Sequence, residues 1–402
     1  MIDHPVLLEN QVQDYAWGSR TAIQELMGVR DRQETPWAEL WMGAHPKAPS
    51  SVVTDNEKIE LNTLVSRYPK QMLGASTAER FNNTLPFLFK VLAAEHPLSI
   101  QAHPDKTQAK AGFERENKLK IPIDAPHRNY RDPWPKPEII CAIEPFMALN
   151  GFRPADTIAG FFESFCPAEL AAQIQHLKEE PNASGIKKMF ASLLRMEEKT
   201  KQRTIQSAIE KAVKTDSPEG EWVQKIHEQY PDDIGVLSPL FLTLIQLEPY
   251  SAMFLSPGRM HAYLKGVGIE LMANSDNVLR GGLTGKHMDI EELMRSVNFE
   301  PSPIEILRPV AKNDWESIYP ANAEEFILSR IQTNNQNKYR CSENHGLEIL
   351  LCMNGSATIT QGMEKTLLNI EKGSSVLIPA NAGAYEINGE AFFFKASIPA
   401  SN

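Results

Sequence analysis

The sequence predicts a mainly β protein, in which a β-barrel is split by a helical insertion and followed by a second β-domain. Three observations predict it. Apolar and polar residues alternate over residues 85–103 and again from Ala252 past Gly268, as half-buried strands require. Between these stretches the hydrophobic period lengthens to that of a helix. From 325 to 398 the chain is a series of short apolar runs cut by Asn354-Gly355, Gln361-Gly362, Lys372-Gly373 and Asn388-Gly389, the pattern of a small antiparallel barrel or sandwich.

In the first stretch the alternation places Leu98, Ile100 and Ala102 on one face and Ser99, Gln101 and His103 on the other. One face is apolar and the other is equipped for chemistry. From about 155, Ile158, Phe161, Phe162 and Phe165 recur at i, i+3, i+4, i+7, and Ile186, Met189, Phe190, Leu193 and Leu194 repeat the stripe. The expected units are a first barrel made from 1–150 and 249–320, a helical insertion over 151–248, and a C-terminal β-domain over 321–402. A chain of 402 residues exceeds the size at which one core keeps growing, so several units are expected.

Composition narrows the function. Hydrophobic residues make up 42% and charged residues 23%, and the mean hydropathy is negative, the profile of an ordinary soluble globular protein. A net charge of -10 opposes general binding to nucleic acid, which needs clustered Lys and Arg, so any phosphate site must be local. The N-terminus lacks the basic start of a signal peptide. The apolar stretch from Leu237 to Leu255 is broken by Pro239, Gln246, Glu248 and Pro249, which spoils it as a membrane span. The expected location is the cytoplasm, with no membrane partner. Cys141, Cys166, Cys341 and Cys352 contain no C-x-x-C pair, so reduced thiols are expected rather than a disulfide framework or thiolate metal site.

Several residues could carry chemistry. Gln101 and His103, two apart on a strand, project from one face as paired metal ligands must; the polar face of a half-buried strand fits the same spacing. Glu138 follows Pro135-Lys136-Pro137, where two prolines fix the strand entry and deliver a lysine and a carboxylate at its mouth. His261 follows the turn Ser256-Pro257-Gly258. Together Gln101, His103, Glu138 and His261 offer nitrogen and oxygen donors that suit Zn, Fe or Mn. The run from Gly268 to His287 gathers Glu270, Asp276, Arg280 and Lys286 around a glycine-rich turn, a set able to serve an anionic substrate.

Four motifs, Gln13-Asp14-Tyr15-Ala16-Trp17-Gly18-Ser19, Gln101-Ala102-His103-Pro104-Asp105-Lys106, Lys136-Pro137-Glu138 and Met272 to Arg280, resemble those of the type I mannose-6-phosphate isomerases over about residues 1–320. The resemblance implies a cupin (jelly-roll) barrel with a helical domain and a second, C-terminal cupin-like β-domain. It implies one zinc ion per chain held by Gln101, His103, Glu138 and His261, with Arg280 as the catalytic arginine. Family positions near the sugar fall on Lys90, Ser99, Lys136, Glu270, Asp276 and Lys286. Pro135 stands where many bacterial members have histidine, which leaves no histidine there for the mechanism, and Gly285 replaces a frequent proline. The expected reaction interconverts mannose 6-phosphate and fructose 6-phosphate through a cis-enediolate, with Glu270 as proton carrier and Lys136 as its rival. Ser99 with Lys90 or Lys286 is expected to take the phosphate, and the protein is expected to be a monomer. A metal-dependent cupin oxygenase and a non-enzymatic sugar-phosphate-binding cupin are the alternatives.

Overall fold

The computed structural model describes residues 2–29, 34–53, 57–336, 338–362 and 366–400. Among these residues the strands form two sheets of eleven strands each. The first sheet runs Ile306–Leu307, Ala252–Leu255, Glu138–Ala142, His261–Ala273, Phe87–Ala94, Glu39–Gly43, Gln11–Gln13, with four further strands joining from the side. The long strand His261–Ala273 organises this barrel. Its first half pairs with Ile100–Ala102 and Phe146–Phe152, and its second half lies between Phe87–Ala94 and Glu138–Ala142.

The insertion consists of helices Ala155–Phe165, Ala171–Glu179, Ala183–Leu194, Glu198–Ala212 and Pro218–Gln229, closing with Ser238–Phe241. Local chemistry sets their starts. The Asn182 side chain accepts from the Ser184 and Gly185 amides, and Ser217 caps Gly220 with Pro218 at the first helical position. The helical run stops before 248: Leu242–Leu247 is already a strand, paired with Phe146–Phe152. Its β-branched and leucine-rich sequence finds a sheet edge to join, which outweighs the local pattern.

The apolar stripes of the insertion form one core with the back of the barrel. Ile158, Phe162, Phe165, Ile186, Met189, Phe190 and Leu193 pack in a cluster that also contains Ile100, Ala102, Leu149, Ala262 and Leu279. Each fully buried side chain of this size contributes about 1.5–3 kcal/mol. The helices therefore brace, from behind, the strands whose opposite faces carry Gln101, His261 and Arg280. Leu98 departs from the expected face: it packs beside the first barrel's Leu92 and Tyr263 rather than in the core of Ile100 and Ala102, because it precedes the strand.

The second sheet is built mainly from the C-terminal region, and the chain's beginning joins it. Val6–Glu9 pairs with Ser375–Ile378 on one side and Ser51–Val53 on the other. Two of the four glycine pairs expected to reverse the chain lie inside strands instead. Asn354-Gly355 falls within Glu348–Gln361 at a shift in register, and Asn388-Gly389 falls within Tyr385–Ser397, opposite Thr358 and Ala357. Their positive φ values, +77° at Gly355 and +135° at Gly389, bend long strands without ending them. Lys372-Gly373 does reverse the chain, between Thr366–Glu371 and Ser375–Ile378.

Candidate metal centre and substrate pocket

Three strands converge on one buried point. His103 follows Ile100–Ala102, Glu138 begins Glu138–Ala142, and His261 begins His261–Ala273; the cross-strand register sets His261 opposite Gln101. Donor atoms of His103, Glu138 and His261 all lie within 4.8 Å of one another. Glu138 Oε1 is 3.3 Å from His103 Nε2, and Oε2 is 3.5 Å from His261 Nε2.

The tautomers follow from the outer partners. His103 Nδ1 lies 2.7 Å from the Asn277 carbonyl oxygen and His261 Nδ1 3.0 Å from that of Arg259. Carbonyls only accept, so each ring donates from Nδ1, and a neutral ring then presents a lone pair at Nε2. Burial, against the pull of the Glu138 carboxylate, brings His103 down to about 4. It is neutral at pH 7, and its sealed Nε2 has no hydrogen-bond partner. Burial works to raise Glu138, but the Lys136 ammonium beside it holds its carboxyl well below the usual range. Acceptors thus face an ionised acceptor in a dry pocket, a costly arrangement that a cation between them relieves. The separations match those of ligands about 2.0–2.1 Å from a shared tetrahedral ion, which lie roughly 3.3 Å apart. The Gln101 amide nitrogen donates to Ser99 Oγ at 3.1 Å, so its oxygen is the atom available as a fourth donor.

A second buried network adjoins these groups. Lys90 Nζ lies 2.8 Å from Glu270 Oε2 and 3.6 Å from Glu39 Oε1, directly across the ladder that pairs Lys90 with Glu270. Tyr263 donates to Glu270 Oε1 at 2.9 Å, and Trp41 Nε1 donates to Glu39 Oε2 at 2.7 Å. Burial works to lower Lys90, yet the two carboxylates hold it above its ordinary value. Burial raises Glu270, with Lys90 pulling the other way. Lys136 Nζ sits 3.1 Å from Glu138 Oε1. A cavity of about 70 Å³ touches Glu39, Lys90, Ser99, Gln101, Glu138 and Glu270, with Lys136, His261 and Tyr263 also on its wall.

The loop Ser275-Asp276-Asn277 fixes the mouth. Asn277 Nδ2 donates to the Asp132 and Trp134 carbonyl oxygens, its Oδ1 accepts from the Arg131 amide, and Asp132 accepts from Ser275 Oγ and the Asp276 amide. That clamp aims the Asn277 carbonyl at His103. Asp276 ion-pairs with Lys47 at 2.8 Å and His45 at 3.5 Å; burial opposes its ionisation, and these two partners lower its carboxyl nonetheless. Arg280, on strand Leu279–Gly282 opposite Gln101, is lowered by burial and by Arg131. Lys286 is lowered by burial and by Arg280, Arg131 and Lys47. Such mutual depression marks Arg280, Arg131, Lys47 and Lys286 as neighbouring cations.

The structure therefore divides the residues singled out in the sequence. Gln101, Ser99, Glu138, His261, Lys136, Lys90 and Glu270 share the cavity, with His103 at its metal donors. Arg280 lies across the ladder from Gln101 without lining the cavity, Lys286 is exposed, and Asp276 is held by His45 and Lys47. The expected glycine-rich turn is a strand end: Gly281 and Gly282 finish Leu279–Gly282, and Glu270 is in mid-strand. Sequence reasoning missed Glu39 and Tyr263, which parity with Trp41 and His261 on their strands could have flagged. It also missed Arg131, Lys47, His45, Asp132 and Asn277, which only folding brings to the mouth.

Comparison with known proteins agrees with this geometry. Residues 6–155 match the catalytic domain of phosphomannose isomerase type I, 166–242 its helical insertion domain, and 316–397 the cupin domain of mannose-6-phosphate isomerase. The chain is 43% identical to the mannose-6-phosphate isomerase of Salmonella typhimurium over 387 residues, covering 95% of this chain and 96% of that one. It is 33% identical to that of Homo sapiens over 403 residues, covering 92% of each. A crystal structure of mannose 6-phosphate isomerase from Salmonella typhimurium bound to its substrate fructose 6-phosphate and to zinc superposes with a TM-score of 0.92 at 39% identity, covering 98% of this chain and 100% of that one.

Proposed function

The chain belongs to the type I phosphomannose isomerases, and from that premise we propose that it interconverts mannose 6-phosphate and fructose 6-phosphate at a zinc site formed by Gln101, His103, Glu138 and His261. The observation that carries the metal reading is the sealed His103 Nε2 facing an ionised Glu138. One zinc ion bound there supplies a Lewis acid and a template for sugar oxygens. The isomerisation moves a proton between C1 and C2 through a cis-enediolate, which needs a base and stabilisation of a new oxyanion.

Glu270 carries the proton. Its pKa is raised by burial, with Lys90 pulling the other way, and a carboxyl raised in this way can both take and return a proton. Tyr263 and Lys90 fix its two oxygens, so its orientation is set before substrate enters. Arg280, at the edge of the cavity, stabilises the enediolate charge, and Lys136 orients Glu138 and contacts the sugar. Ser99, on the cavity wall beside Gln101, is the hydroxyl that joins Lys286 in taking the phosphate. The phosphate sits at the rim, on Lys286 among Arg280, Arg131 and Lys47; Lys90 is committed to its two carboxylates. Asp276 contributes to substrate binding by holding Lys47 and His45 in place.

The barrel of 1–150 and 249–320 is the catalytic unit, except that Leu242–Leu247 already belongs to its sheet and Val310–Ala311 and Glu316–Ile318 pair into the C-terminal sheet; the helices from 151 form the insertion and 321–402 most of the C-terminal domain. The four cysteines are free, which supports a location in the reducing cytoplasm, where the chain acts as a monomer on a small phosphosugar. Among the described residues no helix is long and apolar enough to cross a membrane. A coupled assay of mannose 6-phosphate conversion, before and after chelation and with Zn, Mn, Co or Fe restored, tests the function. Chelator-sensitive turnover recovered with zinc is expected; no turnover with any metal overturns it.

A further inference from the structure

Both imidazoles at the candidate metal centre donate from Nδ1 to a main-chain carbonyl, and both carbonyls stand on loops. Asn277, whose carbonyl serves His103, lies between strands His261–Ala273 and Leu279–Gly282. Arg259, whose carbonyl serves His261, lies between Ala252–Leu255 and His261–Ala273. Neither residue belongs to a strand, so no sheet ladder sets where its carbonyl points. Each ring is therefore only as well oriented as the loop that holds its partner.

A buried asparagine fixes each loop. Asn277 is 0% exposed. Its Nδ2 donates to the Asp132 and Trp134 carbonyl oxygens at 2.8 and 2.9 Å, and its Oδ1 accepts from the Arg131 and Asp132 amides at 2.7 and 3.3 Å. An asparagine side chain has two donor hydrogens and two acceptor lone pairs, so this one has nothing left for a substrate or a metal. Asn150 is 1% exposed and pairs with His261 across the ladder. Its Oδ1 accepts from Arg259 Nε at 2.7 Å, while Arg259 Nη1 donates to Ser302 Oγ at 2.5 Å. The guanidinium packs so closely on Gly151 that a Cβ there would come within 2.9 Å of Arg259 Nη2. Arg259 is thus held on three sides, and its carbonyl with it.

We propose that Asn277 and Asn150 are positioning residues of the metal centre: neither is a ligand, and each holds one histidine as the Nδ1–H tautomer, with Nε2 bare and facing Glu138, before the ion arrives. The proposal rests on the zinc site proposed above and extends it from the ligands to the residues that hold them. A lone pair already in place needs no ordering on binding, whereas a ring free to turn or to exchange tautomers must be ordered by the ion, which weakens binding.

Two measurements on the full-length protein test this. Long-range proton–nitrogen NMR correlation of the histidine rings in metal-free protein reads which nitrogen carries the proton, at about pH 8, above the ordinary imidazole value of about 6.5. Competition with a chromophoric chelator reads zinc affinity. In the parent both rings are expected as the Nδ1–H tautomer. Asn277→Ala is expected to release His103, and Asn150→Ala to release His261. Each should give mixed tautomers at its own ring alone and zinc binding about 10–100-fold weaker, the usual worth of an outer partner of a metal ligand. Asn150→Asp keeps an acceptor for Arg259 Nε and should restore both readings to the parental values. The two clamps are separate, so misfolding of one alanine variant leaves the other as the test. Parental zinc affinity in every alanine variant that folds, or parental tautomers in every one, overturns the proposal; weaker zinc binding with both rings still locked would assign the loss to general destabilisation. A parent that binds no zinc would overturn the zinc site itself, and the tautomers of the metal-free protein would still decide whether the asparagines position the rings.

Discussion

In the first barrel Lys90 lies between Glu270 and Glu39, with a tyrosine hydroxyl on the second oxygen of Glu270. In the second barrel Lys395 lies between Glu348 and Glu316, with a tyrosine hydroxyl on the second oxygen of Glu348. The surroundings differ. Beside the first network stand two imidazoles whose Nε2 atoms face Glu138, and beyond them the neighbouring cations Arg280, Arg131 and Lys286. The groups that contact the second network pair within it: Tyr339 and Lys312 bond Glu316, and Tyr385 bonds Glu348. A buried Lys–Glu network therefore does not by itself mark a catalytic site. Unsatisfied acceptors converging beside it do, because only they need a further ion.

The largest effect should separate the two networks by chemistry. Glu270→Gln removes the proposed proton carrier, and kcat should fall about 10²–10⁴-fold, the usual worth of a positioned general base. Glu316→Gln makes the same charge change in the second barrel and should leave the turnover of folded protein unchanged. Steady-state kinetics on both decide it. Near-normal kcat in Glu270→Gln together with a collapse in Lys136→Met would hand the proton-transfer role to Lys136.

Stability should rank the other way. Lys395→Met leaves two buried carboxylates facing each other, and removing one partner of such a pair costs about 3–5 kcal/mol. Adding Glu316→Gln and Glu348→Gln should recover most of that loss, because the uncompensated charges go too. Chemical denaturation read at C-terminal probes checks both; a single variant as stable as the parent would mean that the network is solvated in solution.

How much of this contrast was legible beforehand depends on sequence distance. Ser99, Gln101 and His103 could be grouped by strand parity, and the helical insertion by its stripe of Ile158, Phe162 and Phe165, since both signals are local. The metal donors could be grouped by ligand chemistry although His103, Glu138 and His261 are far apart in the chain, but nitrogen and oxygen donors alone suit Zn, Fe or Mn, and only the resemblance singled out zinc. Arg131 and Lys47 reach the mouth through the Asp132–Asn277 clamp and the Asp276 ion pair, contacts that no periodicity encodes. Glycine pairs misled at Asn354-Gly355 and Asn388-Gly389, because a positive φ serves a bulge as readily as a hairpin. The pairing of Val6–Glu9 with the C-terminal sheet carries no local signal either.

A smaller effect sharpens the account of the rim. Lys286→Met should raise KM for mannose 6-phosphate about tenfold, the worth of roughly 1.4 kcal/mol of phosphate binding, while barely changing kinetics with free mannose. Equal effects on both sugars would remove Lys286 from the phosphate site.

The smallest effect is the acid response of the second barrel. Burial works to raise Glu316, but Lys395 and Lys312 hold its carboxyl below the ordinary 4.5. With the folded value depressed, the unfolded chain binds the proton more readily as pH drops below about 4.5, so stability should be full above that value and decline as pH falls through the folded one. Lys395, raised above its ordinary 10.5 by Glu348 and its neighbours despite burial, contributes stability that is complete below 10.5 and fades only at higher pH. Lys312 is half exposed in its pair with Glu316, so Lys312→Ala should weaken the acid decline by no more than about 1 kcal/mol. Denaturation midpoints of parent and Lys312→Ala from about pH 7 down to about pH 3, a range that spans the ordinary carboxylate values, measure it. An acid decline that Lys312→Ala removes entirely would place the dominant partner of Glu316 at the surface rather than at the buried Lys395.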